Sequence, residues 1–174
     1  MKKFLSFIFL LIIILGVIGY FLPTQYTINK SIVISSSSTH IHQYVGDLQK
    51  WDLWTPWKGE DPDIVISISE KTTGIGASQS WQDKHGGGSL TFTSWSPENG
   101  IEYDLYFQAG KYKCKSAIKY NTTTETRTKV MWTMQGDMNM PIIGGYFALF
   151  MQYSIGSMFQ QGLDQLKLIV EQDK

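Results

Sequence analysis

The sequence predicts an α+β fold: a curved antiparallel sheet of about seven short strands wrapped around one long C-terminal helix, plus a separate apolar helix at the N-terminus. Three observations carry this. From Tyr26 to Gly136 the apolar residues alternate with period two, in short runs broken by Gly, Asn, Asp and Pro. From Pro141 to Val170 they return at helical steps instead, with Met151, Ile155, Met158, Leu166 and Ile169 on one face, widened by Phe147, Phe159, Leu163 and Val170. Phe4 to Leu22 carries no charge at all. A sheet that is apolar on one side needs a cover, and the terminal helix can supply it. That helix holds Gly144, Gly145, Gly156 and Gly162, although a Gly in a helix interior costs about 1 kcal/mol relative to Ala. They predict breaks, close backbone approach, or room left open beneath the helix.

Taken in order, Phe4 to Leu22 spans about 28 Å as a helix, close to the thickness of a bilayer's hydrocarbon core. Lys2 and Lys3 precede it, so a single crossing would keep them cytoplasmic and put the rest of the chain on the outer side. A cleaved signal peptide is the alternative, with Val17-Ile18-Gly19 its nearest approach to a cleavage site. The expected organisation is an anchor over residues 1–23 and one domain over residues 24–174. Pro23-Thr24-Gln25 is too short a link to carry that domain far from the lipid.

Tyr26 to Ser35 reads as the first strand, rich in β-branched residues. The Ser35–Ser38 cluster stops it, and one of these serines or Thr39 should cap a helix running to about Asp47, with Ile41, Tyr44, Val45 and Leu48 inside. A tight helix or turn carrying Trp51, Trp54 and Trp57 follows, held short by Pro56. Those indoles either plug one end of the sheet or line the mouth of a cavity. Six strands come next, over 63–70, 76–83, 87–96, 100–109, 112–122 and 127–136. Turn signals separate them at Thr73-Gly74, Lys84–Gly87, Pro97–Gly100, Gly110-Lys111 and Asn121–Thr124. Alternation puts Ile64, Ile66, Ile68, Leu90, Phe92, Ile101, Tyr103, Leu105, Phe107, Ile118, Tyr120, Val130, Trp132 and Met134 on the inner side. Glu102, Asp104, Lys129 and the lysines from Lys113 to Lys119 fall on the other side.

Composition narrows the function. Over 174 residues the content is 43% hydrophobic and 14% aromatic, ample for a core, and the formal charge is zero. No basic face argues for nucleic acid. Cys114 is the one cysteine, so no intramolecular disulfide can form, and its alternation with Lys113 and Lys115 turns it inward as a small hydrophobe. His85-Gly86-Gly87-Gly88 has the look of an oxyanion-hole loop, but no nucleophile elbow accompanies it, so it reads as a hairpin turn. Gly74-Ile75-Gly76 lacks the rest of a nucleotide fingerprint. His40 and His42 have no partner at metal-ligand spacing, and no metal or cofactor is expected. Glu102 and Asp104 share a strand face, yet it is the solvated one.

What remains is an interior crowded with large, adaptable side chains, which either pack solidly or line a cavity. Several segments sharpen the reading: Trp51-x-x-Trp54-Thr55-Pro56-Trp57, Gly74-x-Gly76-Ala77-Ser78-x-Ser80-Trp81, Gly88-Ser89-Leu90-Thr91-Phe92-Thr93 and Val130-Met131-Trp132-Thr133-Met134-Gln135-Gly136. With Phe147–Met151, Ile155-Gly156 and Phe159–Lys167, they resemble the START-like helix-grip (SRPBCC) superfamily. Within it they are similar to the bacterial polyketide cyclase/dehydrase-type branch, many of whose members carry an N-terminal membrane anchor. The resemblance implies a hydrophobic cavity between sheet and terminal helix, lined by Trp54, Trp57, Trp81, Tyr103, Phe107, Trp132, Met134, Phe147, Met151 and Phe159. It brings no catalytic dyad or nucleophile onto this chain. The expected function is a membrane-tethered module, anchored through residues 4–22 in a bacterial inner membrane, that binds a small hydrophobic or lipid-like molecule. Two alternatives stand beside it: a cyclase or dehydratase using a weak acid/base such as Tyr103, and an interaction module presenting the Trp51–Trp57 indoles.

Overall fold

The computed structural model describes residues 2–83, 86–108, 110, 112–124 and 126–173. Parts of the expected His85 loop, of the end of the 100–109 strand and of the Gly110-Lys111 turn lie outside them. The N-terminal apolar helix α1 (Lys2–Phe21) leads through Leu22, Pro23 and Thr24 into β1 (Gln25–Ile34). Next come α2 (Ser38–Val45), a 3-10 turn (Leu48–Leu53) and the short α3 (Trp57–Glu60). Then follow β2 (Val65–Ile68), β3 (Ser78–Gln82), β4 (Gly88–Ser96), β5 (Gly100–Phe107), β6 (Tyr112–Thr124) and β7 (Arg127–Asp137), and α4 (Gly144–Gln172) closes the chain. The strands form one antiparallel sheet in the order β1-β7-β6-β5-β4-β3-β2. This is the helix-grip architecture, a curved sheet closed over by a long terminal helix.

Ser37 caps α2, its hydroxyl accepting from the His40 N–H at 3.3 Å. The threonine-rich stretch Asn121–Thr124 is strand, not turn: β6 runs through it and takes up a bulge between Thr122 and Thr124. Threonine is β-branched, and pairing with β7 outweighs the turn tendency of Asn121. A second bulge, between Phe92 and Ser94, resets the alternation in β4. Trp95 thereby faces inward, where its indole N–H donates to the Gly46 carbonyl at 2.8 Å.

Helix α4 is 29 residues of unbroken helix despite its glycines. Those glycines serve close approach. A methyl group at Gly145 would stand 2.2 Å from the Leu22 side chain, and one at Gly162 would stand 3.0 Å from the Trp132 ring. The buried line of the helix runs through Ala148, Gly156, Phe159, Gly162, Leu163, Leu166 and Val170. Its far end is pinned to the N-terminal elements: the Tyr44 hydroxyl donates to Asp173 at 2.5 Å, and the Ser35 N–H donates to Glu171 at 2.7 Å. Cys114 is buried, with its sulfur 3.1 Å from the Tyr26 hydroxyl, and burial pushes its thiol pKa upward.

Candidate functional site

Between the inner face of β2–β5 and the middle of α4 lies a cleft of about 350 Å³. One wall is sheet: Ile66 from β2, Gln79 and Trp81 from β3, Leu90 from β4, and Tyr103, Leu105 and Phe107 from β5, with Met134 of β7 behind. The opposite wall is Ile155, Met158 and Phe159 of α4. Trp51 and Trp57 close one side, and Glu60, Asp61, Ile64 and Asp83 stand along the cleft as well. Strand alternation explains the sheet wall, since inward side chains from neighbouring antiparallel strands stack into one apolar surface. A larger depression of about 550 Å³ lies on the other face of the same strands, among Ser67, Ser80, Gln82 and Ser89. It is more open and less apolar than the inner cleft, so the inner cleft is the better container for an apolar molecule.

Six of the ten expected lining residues stand on the cleft: Trp57, Trp81, Tyr103, Phe107, Met134 and Phe159. Four do not. Trp54 and Trp132 are fully buried behind it, with ring centroids 5.3 Å apart. Trp132 stacks flat on Phe159 at 3.9 Å, so it supports the lining without being part of it. Phe147 is exposed and Met151 half-buried, because the face of α4 that meets the sheet is set by Ala148, Gly156 and Gly162. Small residues allow the closest approach, so they mark the contact face that hydrophobicity alone assigns to its larger neighbours.

Beyond the ten expected residues, Gln79, Leu90, Leu105, Ile155 and Met158 line the cleft, as does Trp51, one of the three indoles read as either plugging the sheet or lining a cavity mouth. For Gln79 a signal existed: it shares the parity of Ala77 and Trp81 in a strand. It is 5% exposed and stands on the cleft wall. Its amide can both donate and accept a hydrogen bond, so it can orient a polar group placed in the cleft. The Tyr103 hydroxyl accepts the Trp132 indole N–H at 2.8 Å. Burial pushes the Tyr103 pKa up to about 12, with Ser116 and Trp132 pulling slightly the other way, so the phenol stays neutral near pH 7. As a neutral phenol it can donate a hydrogen bond or a proton to a polar group in the cleft.

The remaining candidates sit elsewhere. Glu102 and Asp104 pair with Lys119 at 2.5 Å and Lys113 at 3.4 Å on the outer face. His40 lies near Asp173, and His42 is buried against Trp95 and the Tyr120 hydroxyl. Of the three clustered indoles, Trp51 and Trp54 are buried and Trp57 is half-buried, their N–H groups at Trp51 and Trp54 donating to Val45 and Tyr44 carbonyls. The exposed aromatic patch that an interaction module would need at this place is therefore missing.

No family model matches the chain, and no curated protein matches it in sequence. Solved structures do resemble it. A protein from Thermobifida fusca superposes with a TM-score of 0.65 at 14% identity, over 84% of this chain and 93% of its own. Norcoclaurine synthase from Thalictrum flavum, in complex with dopamine and hydroxybenzaldehyde, gives 0.62 at 12% identity over 91% and 94%. The protein Ara h 8.0201 gives 0.59 at 13% identity over 84% and 97%. At these identities the likeness establishes the helix-grip fold.

Proposed function

We propose that the helix-grip domain binds a small hydrophobic or lipid-like molecule in the cleft between sheet and α4. The observation that carries this reading is an apolar cleft of about 350 Å³ with a single amide side chain, that of Gln79, on its wall. Binding would be driven by burial, at about 25 cal/mol per Å² of apolar surface removed from water. Gln79 would supply the polar contact that fixes orientation, and Trp57 and Trp81 the flat surfaces. Glu60, Asp61 and Asp83 are acidic and none of the described lining residues is basic, which favours a neutral or cationic polar end over a carboxylate. The norcoclaurine synthase complex, with its two small aromatic molecules, agrees in scale.

The setting belongs to the same proposal. Helix α1 would cross a bacterial inner membrane once, with the N-terminus cytoplasmic and residues 24–174 on the outer side. Its stretch Lys3–Phe21 has the length and mean hydropathy of 2.8 for a span, and only 6% of it is buried against the rest of the protein. The kinship we favour is the polyketide cyclase/dehydrase-type branch. Native mass spectrometry of the full-length chain, purified gently from its host, tests the binding reading. A discrete stoichiometric adduct, identified by extraction, is expected; a clean apo mass after gentle release, together with no uptake from total host lipid, overturns it.

A further inference from the structure

Sequence and surface disagree along the first half of α4. From Met138 to Leu163 there is no charged residue, whereas the last stretch carries Asp164, Lys167, Glu171 and Asp173. An uncharged helix is ordinary when buried, but here large apolar side chains stand in the open. Ile142, Ile143, Phe147 and Leu149 are each about half exposed, Phe150 is 62% exposed and Tyr153 is 82% exposed. A contiguous apolar patch of this kind marks a surface with a partner.

The partner follows from what the same segment touches. The Tyr146 hydroxyl donates to the Leu15 carbonyl of α1 at 2.7 Å. The Ile142 carbonyl lies so close to Gly19 that a methyl group there would be 2.1 Å away. Ile142 takes a φ of 66°, a costly conformation for a β-branched residue, at that same contact. Leu15 is six positions before the end of α1, so at 1.5 Å per residue Tyr146 reaches a level about 9 Å below that end. If α1 spans the bilayer, the start of α4 is already inside it. Tyr20 and Phe21 are exposed at the end of α1, as Phe150 and Tyr153 are on α4.

We propose that the segment Ile142–Tyr153 is immersed in the outer leaflet, so that the domain is seated on the membrane by α4 as well as tethered by α1. This rests on the reading of α1 as a membrane span. The immersed stretch runs within a turn and a half into Ile155 and Met158, the α4 wall of the cleft. The cleft therefore opens next to lipid, and its ligand is a membrane-resident molecule taken up from that leaflet.

The test uses the full-length chain in phosphatidylcholine and phosphatidylglycerol vesicles, with Phe150→Cys, Ile12→Cys and Leu168→Cys variants each carrying a nitroxide. The wild type, whose Cys114 is buried, serves as the labelling blank. Collision with oxygen against collision with a water-soluble nickel chelate reports immersion. The oxygen-to-nickel ratio at position 150 should match that at position 12 and exceed that at position 168 by roughly tenfold, because hydrocarbon excludes the polar chelate. An aqueous label at 150 with a lipid-exposed label at 12 overturns the seating and leaves the anchor standing. Aqueous labels at both positions remove the anchor, and the seating with it. A label at 150 shielded from both reagents and broadened by a second nitroxide would assign the patch to another copy of this chain and also overturn the proposal.

Discussion

His42 is a histidine that the fold holds neutral. Burial lowers its pKa from 6.5 to about 4, with the charge of Glu98 opposing only weakly, and its Nε2 has no partner among the described residues. The unfolded chain takes up a proton near pH 6.5 while the folded chain resists until near pH 4, so protonation favours unfolding in between. The stability His42 lends is complete above pH 6.5 and is lost as the pH falls toward 4, by on the order of 2 kcal/mol. Urea unfolding at pH 7 and pH 5 should show this loss, and His42→Gln should flatten it. One residue behind the cleft and one on its wall separate packing from binding. Trp132→Ala removes a ring stacked on Phe159 and should cost about 3–5 kcal/mol, seen as a large fall in urea midpoint. Gln79→Leu should leave that midpoint close to wild type, since the volume is nearly conserved, and should abolish the mass-spectrometric adduct or weaken it at least roughly tenfold. The aromatic identity of the interior was legible from alternation alone. Which rings touch the cleft was not, because Trp54 and Trp132 differ from Trp57 and Trp81 only by depth, and periodicity reports direction without distance.

Helix α4 shows the same division at the scale of an element. Its existence was readable from the apolar repeat, while Gly144, Gly145, Gly156 and Gly162 allowed breaks, close approach or open room, and the packing selects close approach. Its rotational phase was not. The large residues Phe147 and Met151 drew the expected face toward themselves, whereas Ala148, Gly156 and Gly162 fix the contact line. The strands fared alike: all seven were visible, but the β4 bulge that turns Trp95 inward has no sequence signal, being set by pairing with β5. Because Ile155 stands on the cleft wall without being fully buried, Ile155→Phe should fill part of the 350 Å³. Its thermal midpoint should stay within a few degrees of wild type while ligand uptake from host lipid is lost. Unfolding would mean that the cleft is packed core.

For the whole molecule, the contacts of Gly19 with Ile142 and of Leu15 with Tyr146 make α1 part of the packing as well as an appendage. Removing residues 1–22 should therefore give a folded domain that associates with itself in proportion to concentration, measured by sedimentation. Adding Phe147→Ser and Phe150→Ser should restore the monomer. The apolar first helix and the sheet were legible as a charge-free run followed by alternating strands; the contacts between that helix and α4 were not, since they join residues more than a hundred positions apart. The distribution of the six tryptophans has one more consequence. Trp57 and Trp81 sit half-buried on the cleft, while Trp54 and Trp132 are sealed behind it. Ultraviolet emission from the unmodified protein thus has a variable component and a constant one. A molecule entering the cleft displaces water from the first pair, shifting their light to the blue and hiding them from iodide, so the chain reports optically on its own occupancy.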